Sequence, residues 1–289
     1  MSARVSFGMR AWPLLGAVCV LFAGSNTLEQ AQKLYSLTEY NDSLRILQSL
    51  PDKTGPVYEL IGQNYYGLGD FKKATENLEK AVAADPSDSR SYNWLGKAYG
   101  RRAETSSPFT APGYASKARQ AFEKAVQLDP SNLEAANDLF EYYLEAPGFL
   151  GGGMEKANQM AAKIASLDAA EGNWARARIA EKRKEFSSAE QHLRRAAEIA
   201  PHQVGRVLDL ARFLAKQGRY QESDKAFETA RKIAPQSPKV LFAQADTYIK
   251  NGRNLETARK LLEQYIASTL TPDDPPRSQA EKLLKQAGS

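Results

Sequence analysis

Residues 56–86, PVYELIGQNYYGLGDFKKATENLEKAVAADP, decide the fold. Tyr58, Ile61, Gly62 and Tyr65 recur at steps of three and four, so they share one face of a helix. Gly69-Asp70 turns the chain. Ala74, Leu78 and Ala81 form the matching face of a second helix, and Pro86 closes it, because proline lacks an N–H and restricts the residue before it. The stretch reads as two short helices and a tight turn, and such a pair cannot bury its apolar stripe alone.

The same pattern returns along the chain. Tyr92, Leu95, Gly96 and Tyr99 are followed, after an insertion, by Ala118, Phe122, Ala125 and Pro130. Phe186, Ala189, Leu193, Ala196 and Pro201 repeat the second half. Val207, Leu210, Ala211, Leu214, Gly218, Tyr220, Ser223, Phe227, Ala230 and Pro235 repeat the whole. Small residues at 74, 118, 189 and 223 let helix backbones approach, and Leu or Phe at 78, 122, 193 and 227 fills the hole beside them. The closing D-P-S-D and D-P-S-N stretches (85–88 and 129–132) stop one helix and offer N-caps to the next.

These residues resemble the tetratricopeptide repeat (TPR) family, whose helix–turn–helix units step by about 34 residues. The resemblance covers most of residues 24–270 and implies an all-α, right-handed α-α superhelix. The expected units are a degenerate first repeat over 25–54, an array over 55–271 totalling about seven repeats with the first, and a capping helix within 272–289. The fifth unit departs from the pattern, with Asn173 and Arg176 where an aromatic residue and a leucine are usual. The seventh carries one extra residue near Asn254.

Composition bounds the function. With 42% hydrophobic and 25% charged residues the chain is of the ordered, globular kind. A formal charge of +5 over 289 residues is too small to argue for nucleic acid, and Arg4 and Arg10 fall in a leader-like segment. Residues 1–24 run from basic to apolar (Ala11–Gly24) to small, the order of a cleaved secretory signal peptide, and the apolar run is shorter than the roughly 20 residues of a membrane span. An exported, periplasmic or envelope-associated protein is expected, touching a membrane only through an uncleaved N-terminal segment. Cys19 is the sole cysteine, and Gly16-Ala17-Val18 before it are unlike a lipobox.

No chemistry is evident. His192 and His202 are the only histidines and are too far apart for a helical metal pair. No G-x-S-x-G elbow occurs, and Gly148–Gly153 lacks the Lys-Ser/Thr that a P-loop requires. The reading is a protein that is not an enzyme and uses no cofactor or metal.

Two groups of residues are candidates for partner binding. The resemblance implies a concave groove lined by first helices, where repeat positions nine and thirteen point inward. Those positions hold Lys97 and Arg101, then Arg178 and Lys182, then Arg212 and Lys216, with Glu141 and Glu145 interrupting the basic series. Trp174 and Tyr66 add aromatic surface. An acidic protein or peptide is the complement of the basic pairs. The alternative is that these cations are neutralised across neighbouring helices, for example by Glu141. The second group is Phe109 and Tyr114 in RRAETSSPFTAPGY (101–114), with Phe149 and Leu150 in EAPGFLGGGMEKA (145–157). Both stretches are insertions at the turn within a unit, so their loops are expected to be neighbours. The stretch 147–157 is also similar to loops in some exported bacterial TPR proteins, including partners of solute-uptake systems. This suggests a second role, an accessory or ligand-binding component whose two loops gate a pocket.

Overall fold

A computed structural model describes residues 27–287; the leader-like segment and Cys19 lie outside them. Every regular element among the described residues is helical. Helix α1 covers 27–36 and α2 covers Tyr40–Ser49. The pairs that follow are α3 (Gly55–Gly67) with α4 (Phe71–Ala84), and α5 (Ser89–Thr105) with α6 (Ala111–Leu128). Then come α7 (Leu133–Glu145) with α8 (Met154–Leu167), and α9 (Ala169–Lys182) with α10 (Phe186–Ile199). The last pairs are α11 (Val204–Lys216) with α12 (Tyr220–Ile233), and α13 (Pro238–Lys250) with α14 (Leu255–Ala267). A single helix, α15 (Arg277–Ala287), packs against α14 and α13. The fold is an all-α solenoid of seven helix pairs and a cap, as the repeat pattern implies.

The contacts within a pair follow from residue size. A Cβ on Gly62 would stand 2.5 Å from the Leu78 side chain, and one on Gly96 would stand 2.5 Å from the Phe122 ring. Hence glycine at these positions lets the large residue of the second helix touch backbone. Ala74, Leu78, Ala81, Ala118, Ala125, Ala189, Phe227 and Ala230 are fully buried in the seams. The turns within units share a left-handed residue, Gly69 (φ 77°), Gly218 (φ 74°) and Gly252 (φ 61°), with Thr38 (φ 61°) and Lys184 (φ 62°) in the same role. The residue after each closes a six-to-one bond back into the first helix, as in Asp70 N–H to Tyr65 O (2.9 Å) and Glu185 N–H to Ala180 O (2.9 Å).

The 101–114 insertion corrects the sequence reading. It is not a loop but mostly helix: α5 continues to Thr105, α6 begins at Ala111, and only 106–110 lie between them. Pro112 falls in the first turn of α6, where proline's missing N–H has no helical partner to lose. The hairpin is therefore lengthened rather than opened. The second insertion is a short 3-10 turn, Gly148–Leu150, which packs on α6. Gly151 (φ 85°) follows it and sits against Arg119, where a Cβ would lie 2.8 Å from Nε.

The two ends of the array come together. Thr38 and Tyr40 at the turn of the first pair line a cavity of about 130 Å³ with Leu270, Thr271, Asp274 and 275–278. Arg277 holds this C-terminal segment in place by donating to the Ser268 carbonyl (2.9 Å).

Candidate partner-binding groove

First helices pack side by side, α3 with α5, α5 with α7, α7 with α9, and α11 with α13. Polar side chains cross from each to the next. Ser91 donates to Glu59 (2.6 Å), Asn93 to Asp138 (3.0 Å) and Asn137 to Glu171 (3.3 Å). Arg178 grips Glu141 with two parallel bonds (2.9 and 3.0 Å), and Lys182 reaches Glu145 (2.6 Å). Arg206 donates to Glu171 (2.7 Å) and Lys216 to Glu181 (3.1 Å).

All six cations singled out from the sequence have a carboxylate partner. Lys97 meets Glu134 and, at 3.4 Å, Asp138; Glu141 is taken by Arg178 instead. Arg101 pairs with Glu104 of its own helix and lies 5.0 Å above the Phe71 ring. Arg212 has the loosest arrangement, 3.5 Å from Asp209. Burial would lower the Lys97 pKa, but Asp138 and Glu134 outweigh it and hold the ammonium above its ordinary value. The same burial raises the Asp138 and Glu59 carboxyls.

Four of the predicted residues meet in one place. Trp174, Arg178, Arg212 and Lys216 line an open pocket of about 300 Å³ between α9 and α11, with Glu181, Leu193, Asp209 and Phe213. None of its lining comes from either insertion. Trp174 packs edge-on to Phe140 (5.7 Å) on one side and carries the Arg206 guanidinium, also at 5.7 Å, on the other. Asp209 is held between Arg206 and Arg212, yet burial dominates and pushes its carboxyl up to about 6. Arg206 Nε and Nη1 are buried and make no hydrogen bond. Sequence reasoning missed Asp209 and Arg206. Asp209 lies three residues before Arg212, so helical spacing alone could have placed it on that face.

The remaining predicted residues divide. Tyr66 packs edge-on against Phe71 and Trp94, 5.5 Å from each ring. Tyr114 belongs to α6 rather than to a loop; it stacks on Tyr99 (6.2 Å) beneath the Arg102 guanidinium (4.0 Å). Leu150 is half-buried and its carbonyl accepts from the Tyr142 hydroxyl (2.9 Å). Phe109 and Phe149 remain free, 96% and 82% exposed.

Two family profiles match this chain, one described as Tetratricopeptide repeat over 180–238 and one as TPR repeat over 62–102. These two stretches carry tetratricopeptide repeats. Among solved structures, the TPR solenoid is similar to a thermophilic TPR protein of Thermus thermophilus, at 22% identity over 69% of this chain and 97% of that one (TM-score 0.52). It is also similar to a tetratricopeptide repeat protein of Parabacteroides merdae, at 13% identity over 92% and 98% (TM-score 0.57). The human IFIT1 dimer with PPP-AAAA shares the fold at 18% identity over 83% of this chain and 54% of that one (TM-score 0.55). No curated protein matches the sequence. TPR units generally mediate protein–protein interaction and are typically non-catalytic scaffolds. Between them the profile matches leave 103–179 uncovered, the stretch that holds the second insertion, all but the first two residues of the first, and the start of the irregular fifth unit.

Proposed function

We propose that this TPR protein is a non-catalytic scaffold of the cell envelope that holds a protein or peptide segment along its first helices. The observation that carries the reading is the α9–α11 pocket, which gathers Trp174, Arg178, Arg212 and Lys216 around one opening. The cations there are paired, but exposed ion pairs contribute only about 0–1 kcal/mol, so an incoming carboxylate can exchange with them at little cost. Arg212 and Lys216 are the most available, with side chains 48% and 65% exposed. An acidic segment would take these two and lay apolar surface on Trp174. Exposed Phe109 and Phe149 offer a second contact at the turn edge. The envelope assignment rests on the leader-like residues 1–24.

Capture from a fractionated envelope tests the groove. Purified protein is expected to retain a stoichiometric protein partner, and Arg212→Glu with Lys216→Glu is expected to weaken that capture about tenfold or more. Unchanged capture by the double variant would remove the groove from the reading. Mass spectrometry of the N-terminus in the same fractions tests export, and an intact Met1 in the cytosolic fraction alone would overturn it.

A further inference from the structure

The seam behind the first helix holds an open pocket in the second, fifth and sixth units, and the fifth lines it differently. At the repeat position of Arg176, the second, third, fourth and sixth units carry Ile61, Leu95, Leu139 and Leu210 and the seventh Gln244; at the position of Ala180 they carry Tyr65, Tyr99, Tyr143 and Tyr248, with Leu214 in the sixth. With an arginine and an alanine there, the fifth unit's seam holds a pocket of about 270 Å³ between α8, α9 and α10, beside equivalent pockets of about 450 Å³ in the second unit and 300 Å³ in the sixth. Arg176, Arg183, Ser188 and His192 line it, with Asn158 at one wall and Glu185 as its single carboxylate. Counting about 30 Å³ per water, the space equals roughly nine waters.

Its cations are unlike the others. Arginines on the inner face are held by carboxylates, as Arg178 is by Glu141 and Arg206 by Glu171. The exposed side chains of Arg176 in α9 and Arg183 at its C-cap have neither an ion pair nor a hydrogen bond among the described residues, and the two stand seven residues, about two helical turns, apart. The Ser188 hydroxyl is also unpartnered. His192 Nδ1 donates to Asn173 Oδ1 (3.1 Å), which leaves Nε2 for another partner. The first N–H groups of α10 receive no side-chain cap from Glu185.

We propose that this pocket binds the phosphate group of a phosphate monoester. Two guanidinium forks, a hydroxyl, an imidazole and the start of a helix supply more donors than the two oxygens of a carboxylate can use. A tetrahedral phosphoryl group offers three free oxygens and a charge near −2. Without the anion, burial and the Arg176 charge hold the His192 pKa below its ordinary value. A bound dianion reverses the sign of the local field, so His192 becomes a donor through Nε2. The site is separate from the α9–α11 pocket, which opens on the other side of α9 and shares no lining residue with it.

The test uses the full chain, with inorganic phosphate, phosphoserine and citrate as probes at matched ionic strength in chloride. Calorimetry measures binding, and the His192 ring protons report the local field by NMR. Phosphate and phosphoserine are expected to bind at one site and raise the His192 pKa. Arg176→Leu combined with Arg183→Gln is expected to weaken binding by about tenfold to a hundredfold. Leucine at 176 restores the residue usual at that repeat position, so the variant's thermal melt serves as the folding control. Tighter binding of phosphoserine than of phosphate identifies a phosphorylated protein as the source; equal binding identifies the free ion. Citrate binding above both, or a double variant that binds as the parent does, overturns the proposal.

Discussion

The second and fifth units have the same backbone plan and opposite interiors. In the second, Ile61 is buried among Leu44, Leu47, Val57 and Leu60 with Tyr65 packed on them, and Leu78 is buried against Gly62. In the fifth, the positions of Tyr58, Ile61 and Tyr65 hold Asn173, Arg176 and Ala180 beside the buried Leu193. Both units keep the small residue of the second helix, Ala74 or Ala189, fully buried. A unit thus needs its helix-to-helix contact and can dispense with the outer part of its apolar stripe, because neighbours on both sides hold it in the stack. Both units have a pocket at this seam: in the second its cations Arg45 and Lys73 are held by Asp42 and Asp70, and in the fifth Arg176 and Arg183 have no carboxylate partner among the described residues.

Exchanging side chains between the two units should break the contrast with the largest effect. Ile61→Arg buries an unpaired charge in the cluster of Leu44, Leu47, Val57 and Leu60, and is expected to destabilise by about 4 kcal/mol in urea denaturation followed by circular dichroism. The reverse change, Arg176→Leu, is expected to stabilise by about 1 kcal/mol. Equal and small effects from both would mean that the two seams tolerate either residue.

A smaller effect separates the two faces of α9. Asp209 faces it from α11 and ionises near 6 in the folded protein, against about 3.9 in an unfolded chain. Between those values the folded state holds a proton that the unfolded state has released. The stability linked to Asp209 is therefore greatest below about pH 4 and is lost as pH rises through 6. Asp209→Asn is expected to raise stability at pH 7 by on the order of 2 kcal/mol, with the gain vanishing near pH 4. A gain that persisted at pH 4 would assign the effect to packing rather than charge.

The smallest effect lies in the turns. Lys184 adopts the left-handed conformation (φ 62°) that Gly218 supplies in the next unit (φ 74°). Lys184→Gly is expected to stabilise, and Gly218→Lys to destabilise, by about 0.5 kcal/mol each in the same denaturation series.

Much of the fold was legible in the residues, because contacts within a unit are local. The spacing of Gly62 from Leu78 and of Gly96 from Phe122 already states which backbone each large side chain touches. The 101–114 stretch misled because Pro112 reads as a breaker, and its tolerance in a first turn depends on where the helix starts. The candidate site was legible in part. Repeat register identified Trp174, Arg178, Arg212 and Lys216 as one face, and the structure brings them to one pocket. Their partners were less visible, since matching Lys97 to Glu134 and Asp138 rather than to Glu141 requires the offset between successive units. Burial of Asp209 is likewise a property of three packed helices and cannot be read from α11 alone. The departures at Asn173 and Arg176 were visible, but the pocket that Arg176 lines appears only when the walls from α8 and α10 are in place.

The meeting of the first turn with residues 270–278 makes unit number a matter of circumference. An open row of repeats can gain or lose a member at the cost of one interface. Here an added unit between the second and the seventh would carry Thr38 and Tyr40 away from Asp274 and Pro275, and a deletion would drive them together. Changes of length in such a molecule are confined to directions that leave the circuit intact. The extended α5–α6 hairpin and the turn at Gly148–Leu150 both grow outward from the rim and leave the spacing of the units unchanged.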